Sequence, residues 1–255
     1  MTFFQAFLLS IVEGLTEFLP VSSTGHLILV QKYLAINSTE FSKSFDIIIQ
    51  FAAILAVVWV FRQKLLSSLK IWQQSLIAFL PTGLVGFLLY KIIRNFLLER
   101  PLITVYSLLI GGLILLLVDR LTKVNQGQKS WSNLNSLKLF TIGFFQSLSV
   151  IPGVSRSAAS IVGGMISGLS RAQAVEFSFF LAIPTMFAAT GFDLLKSGLH
   201  FSPGEYQLLL VGCLGSFLAS LLAVKFFLDY VKKHDFTVFA IYRIFLAIVV
   251  FLTLK

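Results

Sequence analysis

Glu13-Gly14-Leu15-Thr16-Glu17-Phe18-Leu19-Pro20-Val21-Ser22-Ser23-Thr24-Gly25-His26 sets two carboxylates, four hydroxyls and an imidazole into fourteen residues of a chain that is 57% hydrophobic. Glu13 and Glu17 stand four apart, so a helix carries both on one face and their oxygens can converge. Pro20 is expected to stop that helix, and Val21 to His26 makes a hydroxyl-rich turn before the apolar run Leu27–Val30. Two like charges in an apolar setting repel and are poorly solvated, so they need a cation or a shared proton. Chemistry is expected here.

The rest of the chain is built for lipid. Of 255 residues 27 are Phe and only 12% are charged, and mean hydropathy is +0.90. Ile71–Tyr90, Leu102–Val118 and Tyr206–Val224 carry no charge, and each approaches the ~20 residues that cross a hydrocarbon core. No secretory signal peptide is expected, since Met1 to Val12 holds no Lys or Arg. The lone Cys213 excludes a thiolate metal cluster. The net charge of +9 reads as basic cytoplasmic loops rather than nucleic-acid binding, with anionic lipid headgroups a secondary partner.

Six segments read as full spans: Phe45–Phe61, Ile71–Tyr90, Leu102–Val118, Gln173–Leu195, Tyr206–Leu228 and Phe236–Leu254. Thr2–Leu34 and Leu139–Gly168 are broken mid-way, at Pro20-Val21-Ser22-Ser23 and at Pro152-Gly153-Val154-Ser155-Arg156. Backbone freed by such breaks survives at membrane depth only beside protein or water, as in a re-entrant hairpin. The predicted fold is therefore an all-α integral membrane protein of six transmembrane helices and two re-entrant helix-loop-helix hairpins. It forms one membrane domain, 1–255, of two repeats, 1–120 and 138–255. An offset of about 130 residues sets Val21-Ser22-Ser23-Thr24 beside Val154-Ser155-Arg156-Ser157, and Phe45-Asp46 near Val175-Glu176. Three spans per unit invert the second relative to the first, which places a site where the hairpin tips meet near the midplane.

Arg62, Lys64, Lys70, Arg120, Lys123, Lys129, Lys138, Arg171, Lys225, Lys232 and Lys233 fall on one face, assigned to the cytoplasm. The opposite face holds Lys32, Lys43, Lys91, Arg94, Arg100, Lys196 and Lys255, offset by Glu40, Glu99 and Glu205. The mouth of the first hairpin then opens outward.

An Arg at membrane depth is costly and marks an ion or substrate path. The planar fork of Arg156 suits phosphate oxygens, and Gly153 permits close backbone approach. Ser155, Ser157 and the restarted helix supply hydroxyl and N–H donors to an anion. Glu13 and Glu17 offer oxygen ligands to a divalent cation, while His26 suits general acid, general base or nucleophile. Blander roles compete. Ser22, Ser23 and Thr24 can cap the next helix, the two Glu can be protonated core groups, and Arg156 can neutralise a buried Glu. Asp46, Glu176 and Asp193 read as snorkelling or capping groups near span ends. Arg243, inside the sixth span, reads as the partner of a buried carboxylate. His200 and His234 fall in loops, without a catalytic role.

Taken together, E-G-L-T-E-F-L-P-V-S-S-T-G-H and P-G-V-S-R-S resemble the undecaprenyl-diphosphatase family of bacterial inner-membrane enzymes, the bacitracin-resistance type. The first motif is similar to that family's Glu/Gln-x-x-x-Glu and Ser-Ser-x-Gly-His, which includes Gly25. The second is similar to its Pro-Gly-x-Ser-Arg-Ser. That family's second motif usually runs on as Gly-Ala-Thr, where this chain has Ala158-Ala159-Ser160: Ser160 keeps a hydroxyl, and Ala158 in place of Gly removes some backbone freedom. The resemblance implies hydrolysis of undecaprenyl diphosphate to the monophosphate and phosphate, dependent on Mg²⁺ or Ca²⁺. It implies an active site open to the outer side of the bacterial inner membrane, recycling the carrier lipid of peptidoglycan synthesis, and bacitracin resistance.

On this reading Glu17, Ser23, His26 and Arg156 are catalytic, and Glu13 with Glu17 holds the metal. Ser22, Thr24, Gly25, Gly153, Ser155, Ser157 and Ser160 bind substrate. The attacking group stays open among Ser23, His26 and a metal-bound water. The isoprenoid tail is expected between spans, against Phe and Leu. A homodimer is compatible with the sequence, and a nucleic-acid partner is not expected. The rival reading is a lipid-phosphate flippase or transporter using the same midplane site. A type-2 phosphatidic-acid-phosphatase is rejected, because no His follows Ser155-Arg156 within Ala158–Met165.

Overall fold

The structure, a computed structural model, describes residues 1–92, 96–97, 100–121, 130–197 and 201–253. Arg94, Glu99, Lys123, Lys129, His200 and Lys255 lie outside the described residues. Among the described residues all regular secondary structure is helical, with no strand. In chain order the helices are α1 (Phe3–Thr16), α2 (Ser23–Tyr33), α3 (Glu40–Ser67), α4 (Leu69–Ile92), α5 (Pro101–Leu121), α6 (Ser136–Ser147), α7 (Arg156–Ile166), α8 (Arg171–Ser197), α9 (Pro203–Tyr230) and α10 (Thr237–Thr253).

Among the described residues five helices are long and apolar enough to cross a membrane: α3, α4, α5, α8 and α9. Within the sixth expected span lies α10, a shorter apolar helix of 17 described residues. Leu84, Phe87, Leu88, Leu210, Leu218 and Leu222 stand exposed along α4 and α9, an exterior that water would not tolerate and lipid solvates. This is a multi-pass membrane protein. The spans outrun their apolar windows because polar caps sit beyond them. Thr39 and Ser202 each close a reciprocal capping box, with Ser42 and Glu205, at the starts of α3 and α9.

Both expected breaks are present. At 1.5 Å per residue, the 14 residues of α1 reach about 21 Å and the 11 of α2 about 17 Å, short of a ~30 Å hydrocarbon core. The first break comes earlier than expected: α1 ends at Thr16, and Glu17 is its C-cap rather than an interior residue. Pro20 has no N–H for the carbonyl of Thr16 and pushes Leu19 out of helical geometry, so the effect reaches back through the turn.

α3 packs against α8, α9 lies on α1 and α3, and α4 lies on α6 and α8. α5 pairs with α10. Gly14 lets α1 approach the α9 backbone at Ser216, and Gly143 lets α6 approach α4 at Ala78. Glu176 is not a snorkelling group: its carboxylate pairs with Lys64 and accepts from the Trp131 indole at 3.2 Å.

Candidate active site

Two serines begin the site. Ser22 caps α2 and Ser155 caps α7, and both take a left-handed backbone, φ 69° and 72°. Each hydroxyl accepts from an N–H three residues on: Gly25 at 3.4 Å and Ala158 at 3.2 Å. So the capping reading holds for Ser22, and Ser155, read only as a donor to an anion, is a cap as well. A helix leaves its first N–H groups without acceptors of its own. At both restarts those belong to the residues just inside the cap, Ser23 and Thr24 in α2, Arg156 and Ser157 in α7.

Glu17 joins the two restarts. Ser23 Oγ donates to Glu17 Oε2 at 2.6 Å, while Arg156 Nη2 donates to Oε1 at 3.2 Å and its Nε to the same oxygen at 3.4 Å. One carboxylate thus holds the first residue of each restarted helix. Arg156 also donates from Nη1 to the Ser178 carbonyl at 3.2 Å and lies over the Phe18 ring at 5.8 Å. Both side chains are almost wholly buried. The neutralising role expected for Arg156 is real and coexists with any role toward phosphate.

Glu13, one turn before Glu17, is fully buried, and neither of its carboxylate oxygens has a hydrogen-bond partner. The acidic groups facing it are Glu17 and Asp46, with Arg156 as compensating cation. Asp46 sits on α3 and accepts from Gln31 Nε2 at 2.8 and 3.0 Å, which ties α3 to α2. It belongs to the surroundings of the site, against the expectation of a capping group. Among the described residues no cluster of three or more His, Cys, Asp or Glu could enclose a metal ion by itself. The two orphaned oxygens of Glu13, one turn from the Glu17 carboxylate, nevertheless suit a hard divalent cation that keeps waters and takes further oxygens from a phosphate.

The remaining expected residues divide by what they touch. Ser157 Oγ donates to the Phe18 carbonyl at 2.7 Å, a second tie between the breaks. Ser160 is 1% exposed, and its hydroxyl lies within hydrogen-bonding distance of the Arg156 and Ser157 carbonyls and Ser178 Oγ. It backs Arg156 from behind. Gly153 has φ 91°, and a Cβ there would meet the Thr104 backbone, so only glycine fits. Thr24 is half-buried on α2, and Gly25 packs beside Leu108.

The ring nitrogens of His26 meet Ser22 and Tyr242 rather than Ser23 or Glu17. Its Nδ1 lies 2.8 Å from the Ser22 carbonyl, and its Nε2 lies 2.8 Å from the hydroxyl of Tyr242, whose ring stacks on it at 5.5 Å. A carbonyl only accepts, so Nδ1 carries the proton and a neutral ring presents its Nε2 lone pair to the tyrosine. Sequence reading missed Tyr242, since a tyrosine in an apolar span looks like any packing or interfacial ring. It found Arg243 but not its role. Rather than a carboxylate, Arg243 meets the carbonyls of Pro20, Gly153, Val154, Ser107 and Leu108 at 2.9–3.4 Å.

The comparisons with known proteins agree along the whole chain. The undecaprenyl-diphosphatase of Aquifex aeolicus is 49% identical over 249 residues, covering 98% of this chain and 97% of that protein. That of Persephonella marina is 48% identical, covering 96% of each. That of a Sulfurihydrogenibium species is 47% identical, covering 99% of each. Residues 6–249 match the family described as bacitracin resistance protein BacA, and the chain belongs to that family.

Proposed function

We infer that this chain hydrolyses undecaprenyl diphosphate to undecaprenyl phosphate and inorganic phosphate, returning the carrier lipid to peptidoglycan synthesis. Removal of the lipid diphosphate that bacitracin sequesters makes the cell resistant. The observation that carries the reading is the shared carboxylate: Glu17 holds Ser23 with one oxygen and Arg156 with the other, at the N-termini of two restarted helices. Free N–H groups at two helix starts and a guanidinium form an anion site suited to a diphosphate.

Without substrate, Glu17 is the anion that occupies Arg156. A phosphate entering the site competes for that guanidinium and draws it onto the group to be transferred. Of the candidate nucleophiles Ser23 is the best placed, because its hydroxyl already donates to a carboxylate. Its Oγ attacks the terminal phosphorus, the proton passes to Glu17 Oε2, and the anhydride P–O bond breaks to release undecaprenyl phosphate. Water then attacks the phosphoserine, a proton returns to Ser23, and phosphate leaves. The N–H groups at both helix starts and Arg156 stabilise the charge that builds on the phosphoryl oxygens. His26 is held through Ser22 and Tyr242 with its Nε2 as an acceptor, and undecaprenyl phosphate leaves as an anion that needs no proton from it. A Mg²⁺ or Ca²⁺ ion bound by Glu13 and Glu17 would neutralise diphosphate charge.

The protein is read as six spans and two re-entrant hairpins in two inverted repeats, 1–120 and 138–255. This topology draws support from the matching backbone of Ser22 and Ser155, and from the packing of α1 on α9 answered by α6 on α4. The basic loops favour a site open to the outer side of the bacterial cytoplasmic membrane. The tail of the substrate would lie along the exposed Leu and Phe surface.

The test is phosphate release from undecaprenyl diphosphate by purified protein in detergent, with Mg²⁺, Ca²⁺ or neither, beside Glu17→Ala and Arg156→Ala. Cation-dependent release lost in both variants is the expected result. No release by folded wild type under any cation would sink the reading.

A further inference from the structure

Arg243 is the largest fully buried side chain of the described residues, with 0% exposure in α10. A guanidinium at membrane depth is expensive unless other groups solvate it. Here every hydrogen-bond partner among the described residues is a backbone carbonyl. Nη1 donates to Pro20 at 3.1 Å, Nη2 to Gly153 at 2.9 Å, both to Val154, Nη2 to Ser107 at 3.1 Å, and Nε to Leu108 at 3.4 Å.

Two of these acceptors occupy equivalent places. Pro20 lies two residues before the cap Ser22, and Gly153 two before the cap Ser155. One guanidinium therefore bridges the two breaks at the same step of their turns and anchors both to α5. Gly111 on α5 makes room, since a Cβ built there would fall on the guanidinium itself. With these carbonyls drawn to Arg243, the separation and angle of the helix starts carrying Ser23 and Arg156 are fixed from behind.

We propose that Arg243 is a positioning residue, which ties the turns of the two hairpins so that Ser23 and Arg156 meet one phosphate. The proposal rests on the hydrolase reading above. Lysine keeps the charge but offers a point donor in place of a planar fork, and cannot reach both turns and α5 together.

The experiment measures phosphate release against lipid concentration for wild type, Arg243→Lys, Gly111→Ala and the double variant, per molecule of monodisperse folded protein. A displacement of ~1 Å at a reacting centre costs on the order of 100-fold in rate, so kcat of Arg243→Lys is expected to fall by about that factor with KM changed far less. Gly111→Ala displaces the same guanidinium from the opposite side and lowers kcat in the same way. The double variant is no worse than the poorer single, because both break one tie.

Wild-type kcat in folded Arg243→Lys overturns the proposal. So does a loss in both variants that lies wholly in folded yield, which would make Arg243 a folding residue. Should Arg243→Lys not fold, Gly111→Ala decides by the same kcat. A folded wild type that releases no phosphate defeats the hydrolase reading instead, and this proposal with it.

Discussion

Removing both charges of the Glu17–Arg156 pair is expected to cost less stability than removing either. The pair meets at 3.2 Å with side chains 7% and 8% exposed, so solvent screens it little. Glu17→Gln leaves a buried guanidinium without its counter-charge, and Arg156→Gln leaves a buried carboxylate without its own, since a glutamine amide can hydrogen-bond but carries no charge. Breaking a buried pair from one side costs about 3–5 kcal/mol, because the other charge stays uncompensated. In the double variant neither member of the pair is left without its partner charge, and Glu13 loses the repelling Glu17 together with the compensating Arg156, so what remains is weakened or lost hydrogen bonds, about 1–2 kcal/mol in all. The singles then sum to about 6–10 kcal/mol, which leaves a coupling of at least ~4 kcal/mol in the cycle.

Denaturant unfolding in mixed micelles measures the four stabilities, and phosphate release is read on the same samples. Stability should return in the double variant while hydrolysis stays at background, because the guanidinium is still missing. A double variant no more stable than the worse single would refute the reasoning. Singles within ~1 kcal/mol of wild type would do so as well, since the pair would then be no stronger than an exposed one.

Further outcomes are expected elsewhere in the site. Ser23→Ala should lose about 100- to 10,000-fold in kcat, with the thermal midpoint little changed, as the candidate nucleophile goes while the cap Ser22 stays. Ser157→Ala removes a buried 2.7 Å bond to the Phe18 carbonyl and should destabilise by about 1–3 kcal/mol, visible in denaturant unfolding, with a smaller loss of turnover than Ser23→Ala. Gly153→Ala pairs a left-handed backbone cost of about 1–2 kcal/mol with a clash at Thr104, so its folded yield should fall well below that of Gly86→Ala, where a Cβ meets open space. Chelation should abolish phosphate release, and added Mg²⁺ or Ca²⁺ should restore it in wild type but not in a Glu13→Ala/Glu17→Ala double variant.

The two breaks were legible because Pro20, Pro152 and Gly153 interrupt runs that otherwise read as continuous apolar helix, and because hydroxyls and charges cluster where lipid would reject them. The capping boxes that lengthen α3 and α9 were also written in the chain, in Thr39 to Ser42 and Ser202-Pro203-Gly204-Glu205. What stayed hidden depended on acceptors without a signature. Any residue can offer a carbonyl, so nothing near Pro20 or Gly153 announced Arg243. Tyr242 stands 216 positions from His26, and no local pattern links them. The orientation of His26 was equally closed to sequence, because its neighbours Ser23 and Glu17 are near in the chain while its partner comes from another helix. The early end of α1 could have been foreseen from the carbonyl that Pro20 leaves without a donor.

The tie through Arg243 also sets an order of events in biosynthesis. Pro20 and Arg243 are 223 residues apart, roughly 10–45 s of translation at 5–20 residues per second. Throughout that interval the first break must wait with its turn carbonyls lacking the guanidinium that later binds them. Water, lipid headgroups or the insertion machinery have to serve in its place. A nascent chain halted before α10 would hold every residue of both sequence motifs yet lack the link that sets them against each other. Activity should therefore arrive in one step, after α10 has entered the membrane, and not grow in proportion to the length of chain inserted.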